Sequence, residues 1–444
     1  MKRSAFLAFP LCAGLAVSAQ AVPSVGLNFG DAGGNVTGTA GVVAQANWNN
    51  GAGNVGSATN LVDDSGAGTG MNAAWVSNNL FNVFGAAPTT QDAALMRGYL
   101  DTTDTSVTRV TLTNVAYSKY DVYVYFDGDA ATGRSGNYSV NGTTKGPLVD
   151  SANFPAAGTA ANYVQADAPA SAGNYAVFSG QTAPFVSLTA QASNFRAPVN
   201  AIQVVAAPDS HPVGYEGISL NFATGNTANP GPTNVVNPTG VVTLDNWNNG
   251  TSNASGDGAL FNLKDSTGAT TNAIATWNSN NNWVNTAWAN DGGAGSLFRS
   301  YLDTGNTPTT GVTLDVSFIP AEYADGYAVI VYFDGDGTNR YGSYTVSDGV
   351  TSKTATGNDV ANNLGLFSFD YDSNSGAFRA GNFLYFDGFQ GNQLRITSFA
   401  DATGVRAPIS GIQIIHTKDL SIPEPMTAGL SVLGLAGLAL RRRR

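Results

Sequence analysis

The sequence predicts an all-β protein: two tandem homologous β-sandwich domains of the jelly-roll kind, between an N-terminal signal peptide and a short C-terminal transmembrane helix. Three observations carry that prediction. A long internal duplication divides the chain, each copy reads as many short apolar stretches separated by turns, and the residues that build exposed helices are scarce.

The duplication is legible residue by residue. Leu27-Asn28-Phe29 recurs as Leu220-Asn221-Phe222, and Asn47-Trp48-Asn49-Asn50 as Asn246-Trp247-Asn248-Asn249. Tyr125-Phe126-Asp127-Gly128-Asp129 returns as Tyr332-Phe333-Asp334-Gly335-Asp336, and Arg196-Ala197-Pro198 as Arg406-Ala407-Pro408. The offset grows from 193 to 210 residues, so small insertions are scattered through the second copy. The expected organisation is a signal peptide at 1–21, a first repeat at 22–206, a linker at 207–216, a second repeat at 217–417 and a tail at 418–444.

Within each copy the apolar pattern has the period of a strand. Val107 to Leu112 alternates, Tyr120 to Phe126 is a β-branched and aromatic run, and Tyr138 to Val140 follows as its expected hairpin partner. Val186 and Leu188 match Leu394 and Ile396, while Ile202 to Val205 and Ile412 to Ile415 close the two copies. A helical period shows only around Ala93 to Leu100 and its counterpart Gly295 to Leu302.

Composition points the same way. The chain has 53 glycines, 11% charged residues, three glutamates and six lysines, so strong helix formers are rare and turn formers abundant. At 43% hydrophobic residues it can bury a core, which argues against disorder. Cys12 is the single cysteine and falls in the leader, so disulfides and thiolate metal sites are excluded from the exported part. Setting aside Lys2, Arg3 and the four terminal arginines leaves 14 of the 20 basic residues against 31 acidic ones, a net charge near −17. Such a surface argues against nucleic acid and anionic headgroups as partners.

The two ends carry targeting signals. Met1-Lys2-Arg3, an apolar stretch from Ala5 to Val17, and Ala19-Gln20-Ala21 follow the order of a secretory signal peptide cut after Ala21. At the other end, Ile422-Pro423-Glu424-Pro425 precedes an apolar run from Met426 to Leu440 and four arginines. A helix over 426–440 rises about 22 Å, short of the ~30 Å hydrocarbon core, a mismatch met by bilayer thinning and snorkelling arginines. The arginines would stay cytoplasmic and everything before Pro423 would lie outside. Proline, acid, proline, short apolar helix and terminal arginines resemble the PEP-CTERM tail of exosortase substrates. The resemblance implies that Pro423, Glu424 and Pro425 form the sorting motif, and that an exosortase-type protease is a partner that removes the tail. It also implies a Gram-negative source that makes exopolysaccharide. The expected location is the inner membrane before processing and the cell surface or medium afterwards.

A body that opens with one strand and closes with another is similar in architecture to galactose-binding-like and carbohydrate-binding modules. Sugar rings stack their C–H faces on aromatic rings while Asn and Asp bind the hydroxyls. Trp75, Trp277, Trp283 and Trp288, beside Asn-rich stretches, are therefore the candidate glycan-binding residues. The competing reading places them in the core, where large aromatics usually sit. Trp48 and Trp247, inside Asn-Trp-Asn-Asn, read as core or loop anchors.

The Asp-Gly-Asp segments are the second candidate site. Asp127, Asp129, Asp334, Asp336 and Asn339 offer the oxygen donors that Ca²⁺ takes, roughly six to eight in number. The alternative is a hairpin loop in which Asp and Gly supply turn geometry and Arg134 or Arg340 neutralises the acid. No other cofactor is expected. As general bases only His211 and His416 exist, neither is duplicated, and no G-x-S-x-G elbow appears. Arg196 and Arg406 are expected to pair with nearby acids. These features describe an exported, non-enzymatic cell-surface or matrix protein that associates with glycan or exopolysaccharide. A structural adhesion protein binding other proteins is the second reading, and an extracellular hydrolase using clustered Asp carboxylates is the third.

Overall fold

A computed structural model describes residues 23–30, 34–82, 88–128, 133–150, 163–223, 233–252, 256–323, 325–337, 340–359, 367, 381–402 and 405–419. The expected leader at 1–21, the expected sorting motif Pro423-Glu424-Pro425, the 426–440 segment, Asp129 and Asn339 all lie outside the described residues. Among the described residues no helix is long and apolar enough to cross a membrane.

The protein is all-β, and both copies order their strands alike. One five-stranded sheet runs Tyr175–Gln181, Tyr120–Tyr125, Ala201–Ala206, Ser24–Phe29, Trp48–Gly51. Its counterpart runs Phe383–Phe389, Tyr327–Tyr332, Gly411–Asp419, Val213–Phe222, Asn248–Gly250. The facing sheet of the first copy begins with the short strand Ala172–Gly173 and continues Thr143–Asp150, Ser135–Val140, Phe185–Asn194, Val107–Thr113, Asn72–Val76, Val55–Ala58. The second copy matches from the next strand on: Ser352–Asn358, Tyr341–Ser347, Gln393–Ala400, Gly311–Ser317, Ile274–Asn278, Gly258–Leu260. Opening and closing strands pair as the sequence suggests, with Leu27 opposite Ile202 and Leu220 opposite Ile412.

Strand alternation fills the space between the sheets. Leu27, Val110, Leu112, Val122, Val124, Leu188 and Ile202 meet in the first core; Leu220, Leu314, Val329, Val331, Ile396 and Ile412 meet in the second. Trp75 and Trp277 belong to these cores, edge-on to Phe29 and Phe222 at 5.5 and 5.2 Å between ring centroids.

Three expectations are corrected. Tyr138 lies in a strand that pairs with Thr143–Asp150 and Phe185–Asn194, not with Tyr120–Tyr125. The Asp-Gly-Asp segment between them therefore carries the chain from one sheet to the other instead of closing a hairpin. The strand Val213–Phe222 reaches back into the stretch expected as linker, and it pairs Glu216 with His416, which sits inside the last strand. The helical stretches shrink to Gln91–Leu95, capped by Thr90 Oγ1 on the Ala93 amide, and Ala294–Arg299. Their C-terminal parts become the strands Gly98–Asp101 and Ser300–Asp303, because the aromatic and apolar residues there are buried in sheet ribbons.

The abundant asparagines have a structural task. Asn49 donates to the Gly26 and Val62 carbonyls at 2.9 Å and accepts from the Val62 amide at 3.0 Å. Asn248 repeats this on Ser219, Lys264 and the Lys264 amide. An amide side chain mimics the backbone, so it satisfies loop peptide groups where no strand is available. Trp48 and Trp247 are buried beside them, as read, with indole N–H groups on the Gln45 and Leu244 carbonyls at 3.1 Å.

The copies also touch each other. Phe185 of the first packs against Phe383 and Tyr385 of the second at 5.0 and 5.5 Å, and the Asn114 amide donates to the Val241 carbonyl at 3.1 Å.

Candidate functional site

The site with the most unusual chemistry lies where the second copy crosses between its sheets. Tyr327–Tyr332 ends, and the chain passes through Phe333, Asp334, Gly335 and Asp336 before Tyr341–Ser347 begins in the opposite sheet. Asp334 is completely buried. Its Oδ1 accepts from Asn285 Nδ2 at 3.4 Å, and the same Nδ2 donates to the Gly335 carbonyl at 2.7 Å. Asp359, just after the strand Ser352–Asn358, accepts the Gly335 amide on Oδ2 at 2.9 Å. Two carboxylates from segments far apart in sequence thus flank one glycine inside the protein.

Their remaining oxygens, Asp334 Oδ2 and Asp359 Oδ1, are buried without a hydrogen-bond partner. The Trp288 indole N–H lies close enough to Asp334 to favour its ionised form, though the pair does not reach good hydrogen-bond geometry. Burial, and after it the charge of Asp359, pushes the Asp334 carboxyl well above the usual carboxylate range. Burial likewise pushes Asp359 up.

Asp336 behaves differently. It accepts from the Tyr301 hydroxyl at 3.0 Å and forms an ion pair with Arg340. Burial alone would raise its carboxyl; the Arg340 guanidinium outweighs that and holds it below the usual range. A Cβ on Gly335 would stand 2.4 Å from Arg340 Cγ, so this position is glycine to let the arginine stem lie against the backbone. The turn role expected for it is not the reason: neither Gly128 nor Gly335 has a positive φ.

The first copy repeats the arrangement. The Gly128 amide donates to Asp150 Oδ2 at 2.8 Å, Asp127 is buried, and Arg134 Nη1 donates to the Tyr99 hydroxyl at 3.0 Å. Asp150 and Asp359 were not singled out in the sequence. Each bonds the glycine of its Asp-Gly-Asp segment from 22 and 24 residues away, a contact that exists only once the sheets are stacked. Among the described residues no three His, Cys, Asp or Glu side chains converge as a metal cluster. The predicted donor pair Asp334 and Asp336 is divided: one faces Asp359, the other Arg340.

The four candidate tryptophans separate sharply. Trp75, Trp277 and Trp288 are 3%, 4% and 4% exposed, so their faces are not available to stack on a sugar, and glycan binding by them is set aside. Trp288 packs on Phe298 at 5.0 Å in a core under the five-stranded sheet. Trp283 is 38% exposed. It lies on the ribbon strand Asn281–Val284 directly opposite Tyr301, and opposed residues of an antiparallel pair share a face. Trp283 is thereby on the face of Tyr301, whose hydroxyl reaches Asp336 and, through it, Arg340.

The histidines are placed apart from these groups. His211 Nδ1 lies 3.1 Å from Ser118 Oγ at the junction of the copies, and His416 Nδ1 lies 3.1 Å from the Gly326 carbonyl. A separate open groove of about 610 Å³ on the six-stranded sheet includes Asp315, Asp348, Gln393 and Arg395. Both of its acids are engaged: Asp315 by Arg395 at 2.7 Å, and Asp348 by the amides of Val350, Thr351, Gln390 and Gly391.

No family description matches this chain, and no curated protein matches it. Among solved structures it is similar to the ANX1 ectodomain from Arabidopsis thaliana, at 10% identity and TM-score 0.25, over 89% of this chain and 97% of that one. The ANX2 ectodomain from the same plant gives 11%, 0.24, 89% and 97%. A fucolectin from striped bass serum gives 11% and 0.17, over 72% and 86%. Likeness at these TM-scores carries no inference about function.

Proposed function

We propose that this chain is an exported, non-enzymatic surface or matrix protein of two β-sandwich domains that associates with glycan or exopolysaccharide through the Trp283 edge of its second copy. The reading of export rests on the leader at 1–21 and on the Pro423-Glu424-Pro425 tail, which an exosortase-type protease would recognise while the 426–440 helix holds the chain in the inner membrane. One observation carries the binding surface. Trp283 is the candidate tryptophan whose ring reaches solvent, and it stands opposite Tyr301, whose hydroxyl donates to Asp336 of the Arg340 ion pair. A half-exposed aromatic gives a sugar ring a stacking plane, and charged and amide side chains beside it give its hydroxyls partners.

The test is a polysaccharide pull-down and glycan array with the full-length protein, the host polymer included. Trp283→Ala is expected to weaken binding about tenfold, the equivalent of ~1.4 kcal/mol, while leaving the melting temperature unchanged. A wild-type protein that holds no polymer, or a Trp283→Ala variant that binds as well as wild type, would sink this reading.

A further inference from the structure

We propose that Asp334 and Asp359 together hold a divalent cation of the calcium kind at the crossover of the second copy. The ligand pair is formed across the two sheets, by an acid the Asp-Gly-Asp pattern does not contain.

The argument starts from the two orphaned oxygens. Asp334 is 0% and Asp359 5% exposed, and each uses one oxygen on a neutral donor: Asn285 Nδ2 for the first, the Gly335 amide for the second. The other oxygen of each is buried without a hydrogen bond of good geometry, with the Trp288 indole N–H a further donor near Asp334. Leaving a carboxyl oxygen unsatisfied in the interior is costly, and ionising both acids side by side without a counter-ion would add to that cost. A cation between them removes both penalties. Asp336, two residues on, is drawn to Arg340 and Tyr301, so the pair left for a cation is Asp334 with Asp359.

The donor chemistry selects the ion. Every group offered is a hard oxygen, with no imidazole or thiolate, which suits calcium over zinc or copper. Two carboxylates supply two to four coordinating oxygens, and water with backbone carbonyls would complete a shell of roughly six to eight. Trp288 and Asn285, both buried, wall the pair off from solvent, and that strengthens the attraction between carboxylate and cation. The first copy builds the same bond from Asp150 to the Gly128 amide, so the arrangement is a property of the repeat.

Calcium binding is measured without any glycan, so its outcome is independent of the Trp283 reading. Full-length protein stripped with EDTA is titrated calorimetrically with CaCl₂ and melted with and without it. At a hundredfold excess over the dissociation constant the melting temperature is expected to rise roughly 5–10 °C. Asp359→Asn, which keeps an acceptor for the Gly335 amide, is expected to bind one calcium ion fewer than wild type and to show a smaller rise. Asp334→Asn is expected to do the same and carries the test should the first variant fold poorly. Asp315→Asn, at a half-buried carboxylate paired with Arg395 outside the proposed site, should bind as wild type does. Three outcomes overturn the proposal: no calcium response in wild type, undiminished stoichiometry in both site variants, or an equal loss in Asp315→Asn.

Discussion

Trp277→Ala is expected to lower stability by about 3–5 kcal/mol, the range for removing a large buried aromatic. Trp277 is 4% exposed, meets Phe222 edge-on at 5.2 Å and donates its indole N–H to Ser252 Oγ at 2.9 Å. The chain has shaped itself around this ring. A Cβ on Gly258 would stand 2.2 Å from the indole, and one on Gly250 would stand 2.6 Å away. The first copy has the same fit, with Gly56 at 2.4 Å from Trp75. Loss of the ring therefore leaves a cavity bordered by backbone that cannot close over it without breaking strand pairing. A chemical denaturation curve measures the loss, and Trp75→Ala should lose a similar amount. An unshifted midpoint would mean that the ring is solvent-facing and the core reading is mistaken. Paired with Trp283→Ala, the experiment separates a tryptophan that builds the sandwich from one that faces outward.

Arg406→Ala is the second large effect. Asp303 has a side chain only 1% exposed and is held by Arg406 in an ion pair, with the Gly305 amide on its other oxygen at 3.1 Å. Burial pushes the Asp303 carboxyl up, and Arg406 acts against that. Without the arginine a buried carboxylate stands uncompensated. The expected cost at neutral pH is about 2–4 kcal/mol, somewhat under the range for a wholly buried pair. The discount reflects an Arg406 side chain that is 27% exposed. The pH dependence has a definite sign. A carboxyl whose folded pKa is raised favours folding at low pH, and that contribution is lost as pH rises above the unfolded value toward the folded one. Removing Arg406 raises the folded pKa of Asp303 further, so the deficit should be larger at pH 7 than at pH 4. A deficit that is flat across this range would show that Asp303 does not carry it. As a control, Arg395→Ala breaks a pair with Asp315 in which the side chains are 64% and 35% exposed, and should cost less than about 1 kcal/mol.

Much of the fold was legible because it is local. Period-two alternation in Val107 to Leu112 and the duplicated closing strands needed no tertiary knowledge, since a strand's two faces are written in its own residues. The same rule could have buried Trp277 in advance. It shares a face with Ala275, while Thr276 and Asn278 take the polar face. Arg196 and Arg406 were read as ion-pair partners, and the pairs with Asp101 and Asp303 are present. The hairpin assigned to Tyr120 to Val140 failed because a turn-like Asp-Gly signal does not say whether the chain returns to the same sheet or crosses to the next.

What the sequence determined by itself was the all-β class and the internal duplication, each a matter of composition, spacing or repetition along the chain. Tertiary structure alone decided which tryptophan meets solvent and which acid faces Asp334. Trp288 is buried by a helix and a sheet brought from elsewhere, and Asp359 reaches Gly335 only once the two sheets are stacked. Burial and charge pairing depend on distances between segments remote in sequence, and those distances exist only after the sheets have closed on a common core.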